Sequence, residues 1–158
     1  MNPQKILVIR RDNIGDLVLT TPALTALRTH FPEARIDVLV NDYNAPVLAG
    51  NPDIDRVWAY RKGKHRTPGE SILSVWLATA AMMWRIRREH YDVAILATPT
   101  VSPSSYKFAR HVGAKRAIAA TDGVSDPIRL ARRDERHEAE LVMDLLRPLG
   151  IEDAPGPL

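Results

Sequence analysis

Short apolar runs alternate with helix-length segments along the whole 158-residue chain, and this alternation constrains the fold more than any other feature. Lys5–Ile9 reads KILVI, β-branched and apolar on both sides of a pleat, as a strand covered on both faces would be. Thr21–Phe31 follows as a helix, with Thr21 as N-cap, Pro22 in the first turn, Leu24, Leu27 and Phe31 on one face, and Pro32 as the stop. Arg35–Val40 is the second strand, Ala45–Ala49 a short helix before the turn Gly50-Asn51-Pro52, and Val57–Tyr60 a short third strand. A basic loop leads to a long helix over Glu70–Arg88, then a fourth strand over Tyr91–Ala97, a helix over Ser102–Val112 and a fifth strand over Ala114–Ala119. Glu135–Leu149 is the last predicted helix, closed by Gly150.

Such an order predicts βαβ units: an α/β, Rossmann-like three-layer domain with a mostly parallel sheet. The expected domain spans residues 1–150, and residues 151–158 read as a tail or linker. At 45% hydrophobic and 26% charged, the composition is that of one globular domain with a real core. There is no cysteine, which removes disulfides, zinc thiolates and thiol nucleophiles from consideration. No secretory signal is visible.

Charge is unevenly placed. Residues 56–116 carry 12 basic and three acidic side chains, while the segments on either side are net acidic. The middle third is a candidate surface for an anionic partner, or a set of solvated charges. Nucleic acid is not expected as that partner, because no recognition motif accompanies the basic stretch and its aromatics form no stacking array. Within it, Ile72–Trp84 is a run of 13 residues, mostly apolar. A spanning helix needs about 20. The run is expected to be a buried helix. The alternative is a helix lying on a membrane surface, with Trp76 and Trp84 at the interface and Arg85, Arg87 and Arg88 just beyond.

The joint after the first strand, IRRDNIGD, is unusual. In an open parallel sheet it lies where ligands bind, beyond the C-terminal strand ends. A phosphate there would want bare backbone N–H groups. Asp12 and Asp16 would repel one, and no GxGxxG or GKS pattern is present. A carboxylate in that place can take a proton from a bound hydroxyl as a general base. It can equally cap the following helix. Gly15 would allow close approach of a substrate or supply a positive φ. The five histidines form no HxH or HxxxH pair, so no metal site is expected. Ser104-Ser105 lacks the setting of a hydrolase nucleophile. Arg61, Lys62, Lys64, His65 and Arg66 follow the third strand on the same sheet edge, where they could grip carboxylates or phosphates.

KILVIRRDNIGDLVLTTPALTALRTHFPEARIDVLV resembles the N-terminus of glycosyltransferase family 9, the ADP-heptose:lipopolysaccharide heptosyltransferases. The shared pattern is a strand, a basic residue, a Gly-Asp pair, a Thr-x-Pro-Ala-Leu-like helix and a second strand. NPDIDRVWAY, YDVAILATPT and RHEAELVMDLLRPLGI agree more loosely, so the likeness extends over nearly the whole chain. It implies the N-terminal, acceptor-binding half of a GT-B fold, with Asp16 as the catalytic base of an inverting, metal-independent heptose transfer. It implies Arg10, Asn13, Gly15, Arg61, Lys62, Lys64, Arg66 and Arg129 as acceptor-binding residues. The implied acceptor is an anionic lipid A–Kdo core. The implied donor is ADP-heptose, expected on a C-terminal domain or a separate donor-domain chain, with no cofactor. A cytoplasmic location is expected, peripheral on the inner membrane. Without a donor domain the chain is expected to be inactive. Two readings compete with this one. One is a non-catalytic Rossmann-like module that binds an anionic glycan, a membrane surface or a partner chain; the other is the nucleotide-binding domain of an unrelated enzyme.

Overall fold

The computed structural model describes residues 2–61, 71–98, 103–120, 126–127 and 137–152. Among these residues, six parallel strands form one sheet in the order β3-β2-β1-β4-β5-β6. They are β1 (Lys5–Ile9), β2 (Arg35–Asn41), β3 (Arg56–Tyr60), β4 (Val93–Leu96), β5 (Arg116–Ala119) and the two-residue β6 (Asp126–Pro127). The helices are α1 (Ile14–Val18), α2 (Thr21–His30), α3 (Ile72–Arg88), α4 (Pro103–Val112) and α5 (Glu138–Asp144), with 3₁₀ turns at Ala45–Leu48 and Arg147–Leu149. The α/β, Rossmann-like expectation holds.

β1 is central because it pairs with β2 on one side and β4 on the other: Val8 lies beside Val38 and Ile95. Successive side chains point to opposite faces of a strand. Ile6 and Val8 therefore join the core under α2 and α5, with Leu24, Leu27, Phe31, Val142 and Leu146. Leu7 and Ile9 join the core on the other face, with Ile86, Tyr91, Ala109 and Val112 of the α3 and α4 side. Burial on both faces is why KILVI shows no polar alternation.

Several boundaries differ from expectation. Thr21 is not the N-cap of α2: Thr20 holds that place, and Thr21 and Pro22 are the first helical residues. The joint after β1 is not an open loop; it folds into α1, which periodicity could not reveal in five residues. The last helix starts after His137, whose Nδ1 accepts from the Ala139 N–H, and ends at Asp144. The chain then tightens into a 3₁₀ turn that stops at Gly150, where φ is +83°. β6 has no sequence signal, being two residues long and containing Pro127.

The largest correction concerns α3. The run expected to be buried is mostly exposed: within α3 only Val75 and Ile86 are buried. Leu73 is 66% exposed, Trp76 71%, Leu77 62% and Trp84 59%. One stripe of the helix covers the sheet, and a second apolar stripe faces outward.

A buried polar network lies beneath the α3 side. Asp37 of β2 is wholly buried and accepts both fork nitrogens of Arg35, at 3.1 and 2.9 Å. The Tyr91 hydroxyl donates to the same carboxylate and accepts from the Trp58 indole at 3.0 Å. Burial, with the bond to Asp37, pushes the Tyr91 phenol far above its ordinary value. A buried carboxylate satisfied on both oxygens ties β2, β3 and the turn before β4 together.

Candidate active site

The C-terminal strand ends gather the segments Arg10–Asp16, Asn41–Asn44, Tyr60–Arg61 and Ala97–Thr98, joined by the start of α5. The backbone after β1 is fixed by several bonds. The Arg10 N–H donates to the Leu39 carbonyl at 3.0 Å. The Asp12 carbonyl accepts from the amides of Asn41 and Asn44 at 3.2 and 2.7 Å. Asn13 then caps α1 with extended dihedrals. The Asp16 carboxylate, three residues on, reaches back to accept the Asn13 N–H at 3.2 Å. The Thr20 hydroxyl donates to the Asp16 carbonyl at 2.8 Å. Asp16 thus caps a helix and also presents a carboxylate 23% exposed at the sheet edge. One role does not exclude the other, because a carboxylate has two oxygens and several lone pairs.

Arg10 organises the site from below. It is 1% exposed, an unusual place for a guanidinium. It donates to the Ala97 carbonyl at the end of β4 and to the Glu138 carboxylate at the start of α5. Its charge also lies 3.5 Å from Asp12 and 3.7 Å from Asp16. One buried cation therefore serves three carboxylates. Arg10, expected among the acceptor-binding residues, faces protein groups and holds the loop that carries Asp16. Glu138 was not singled out in the sequence: its partner lies 128 residues away, and no local pattern marks such a pair.

The other expected residues fall as follows. Asn13 and Gly15 are exposed beside Asp16. Gly15 does not have a positive φ; it is helical, and a Cβ built there would meet nothing within 4 Å. Arg61 lies on the same edge, at the end of the outermost strand β3, and pairs with Asp42 at 3.3 Å. Lys62, Lys64, Arg66 and Arg129 lie outside the described residues. Arg11, not expected to matter, meets the end of β3 and α4: its Nε donates to the Tyr60 hydroxyl at 3.0 Å, and its guanidinium lies over the rings of Tyr60 and Phe108. Burial raises the Tyr60 phenol above its usual value, against the opposing effect of Arg11. An open cleft lined by Pro3, Lys5, His30, Phe31, Glu33 and Arg35 lies at the opposite sheet edge and has no part in this cluster.

The arrangement offers an anchored carboxylate at a sheet edge, with open space beside it and a cation beneath it. It can accept a proton from a hydroxyl brought over Gly15.

No family model matches the chain. It is 26% identical over 147 residues to lipopolysaccharide heptosyltransferase 3 of Escherichia coli K12, which covers 88% of this chain and 40% of that protein. A second Escherichia coli lipopolysaccharide heptosyltransferase 3 is 38% identical over 50 residues, 32% of this chain and 15% of that protein. Among solved structures, a glycosyl transferase family 9 protein from Veillonella parvula superposes with a TM-score of 0.77 at 24% identity, over 95% of this chain and 42% of that one. The Escherichia coli heptosyltransferase WaaC with ADP superposes with a TM-score of 0.72 at 17% identity, over 98% of this chain and 49% of that one. The fold is that of heptosyltransferases, and the chain is heptosyltransferase-like in sequence. It spans half or less of the length of these relatives.

Proposed function

We propose that this chain forms the acceptor-side half of an inverting glycosyltransferase that moves heptose from ADP-heptose to the lipopolysaccharide inner core. The observation that carries the reading is Asp16: a partly exposed carboxylate fixed at the end of β1, in a sequence similar to heptosyltransferases over most of its length. In the proposed step an acceptor hydroxyl gives its proton to Asp16. The freed oxygen attacks the anomeric carbon, the bond from that carbon to the ADP oxygen breaks, and ADP leaves with the electron pair. The configuration inverts because attack and departure are on opposite faces. Charge on ADP is the donor side's concern, so the acidic β1 joint need not receive a pyrophosphate; what it receives is an acceptor hydroxyl.

On this reading the acceptor is a Kdo-containing lipid A core, gripped by Asn13, the open face of Gly15 and the basic loop that begins at Arg61. The donor belongs to the portion of the relatives that this chain does not span. Both meet at the cytoplasmic face of the inner membrane. The reaction needs no metal or other cofactor.

Calorimetric titration of the purified chain tests the assignment. A soluble Kdo-containing core fragment should bind and ADP should not. Tight ADP binding without acceptor binding would overturn it. With the donor-binding portion supplied, Asp16→Asn should lower kcat by roughly 10²–10⁴-fold and leave acceptor affinity nearly unchanged. A binding module without catalysis would show no turnover to lose.

A further inference from the structure

The second apolar stripe of α3 is the largest feature that the proposed chemistry leaves unused. Leu73, Leu77, Ala80 and Trp84 recur at helical spacing along it, with Trp76 and Ile72 beside them, all exposed. The stripe continues into a basic turn: Arg87 and Arg88 follow Trp84 at i+3 and i+4, and Arg85 flanks them, all three exposed. The Arg88 guanidinium lies 4.5 Å from the Trp84 ring centroid. From Ser71 to Arg88 there is no acidic residue. The last turn of α4 adds Arg110 and His111 at the same end, where Gly113 packs against Arg87.

We propose that this face of α3 docks in the plane of an anionic lipid bilayer. Charge complementarity selects this occupant: apolar side chains with a tryptophan in each half suit the headgroup boundary, and the basic end, whose C-cap Glu89 is already paired with Lys5, Arg35 and Arg56, suits anionic headgroups. A second copy of the chain would bring two such basic ends into one interface. Among the described residues no helix is long and apolar enough to cross a membrane, so α3 lies on the surface.

The orientation follows from topology. α3 links two parallel strands, so it runs antiparallel to them, with Ile72 near the edge that carries Asp16 and Arg88 near the opposite edge. A docked α3 lays the strands along the membrane, and the Asp16 edge opens sideways over the lipid. This last consequence rests on the proposed acceptor reading, since a sugar chain projecting from the bilayer would enter from that side. The docking itself does not.

Co-sedimentation with plain phosphatidylglycerol-rich vesicles at low salt, against phosphatidylcholine vesicles, tests the surface. Neither contains a glycolipid, so failure here leaves the acceptor reading standing, and failure of the acceptor titration leaves this one standing. The chain should bind the anionic vesicles, release them at high salt, and show tryptophan quenching by brominated lipid. Trp76→Ser with Trp84→Ser should lower binding by roughly tenfold or more, with unchanged far-UV circular dichroism. Arg85→Gln with Arg88→Gln, which leaves the apolar stripe intact, should abolish the preference for anionic lipid. Absence of binding by the folded wild-type chain would overturn the proposal. So would binding that survives both double substitutions, or a dimer that disperses on replacing the two tryptophans while vesicles are ignored.

Discussion

A single side chain, Arg10, sets the geometry of the candidate site. A buried cation is tolerable only while its partners are present, and here Glu138, Asp16, Asp12 and the Ala97 carbonyl provide them. Arg10→Met should therefore destabilise the fold by about 3–5 kcal/mol, because it strands carboxylates around an empty centre. Urea unfolding would measure it, as a fall in midpoint at unchanged m-value. A midpoint within error of wild type would show that the cluster is solvated. The place of Asp16 at the sheet edge was legible from sequence, because the joint after the first strand of a parallel sheet lies there. Its fixture was not: Arg10, Glu138 and Ala97 meet only through the parallel order of strands, which no spacing along the chain encodes. Arg11 escaped notice for the same reason, since Tyr60 and Phe108 reach it from other elements.

Two helices show how similar apolar content can carry different meaning. In α2 the apolar positions converge on one stripe, and Leu24 is wholly buried against the sheet. Leu24→Ala should cost about 2–5 kcal/mol. In α3 the apolar residues wrap around the helix, and Leu73 points outward. Leu73→Ala should leave stability within about 0.5 kcal/mol of wild type. Parallel thermal melts of the two variants would check the contrast. A large loss from Leu73→Ala would mean that its stripe is covered in the folded chain. The strands and most helices were readable because their periods of two and 3.6 are imposed by the same burial that holds them. The exposure of α3 was not readable, because an all-round apolar helix carries no phase to say which face the sheet will take. α1 was lost to its length, and β6 to its length and its proline.

At the scale of the molecule the two sheet edges differ in chemistry. The edge with Asp16 carries the candidate site, while the opposite edge is laced by ion pairs. There Asp92 accepts from Lys115 and from the N–H groups of Gln4 and Lys5, and the Lys115 bond above all holds it below the ordinary carboxylate value. Glu89 is pushed up by burial but more than offset by Lys5, Arg35 and Arg56, so its net shift is also downward. Asp55 follows the same course through the Ile36 N–H and Arg28. Carboxylates depressed in the folded state add stability that is complete above their unfolded values, 3.8 for Asp and 4.5 for Glu, and is lost as pH falls through the folded ones. The melting temperature should thus hold steady from about pH 7 to 5 and drop steeply below about pH 4. Asp92→Asn should make that acid limb shallower; an unchanged limb would exclude Asp92 as a contributor. The Asp16 edge is completed late in time. Arg10 leaves the ribosome early, and its partner Glu138 follows 128 residues later. A nascent chain therefore carries Asp16 long before it carries the clamp that aims it, so the site is among the last features of the domain to be completed. Any reporter of Asp16 geometry during synthesis would double as a clock for the arrival of α5.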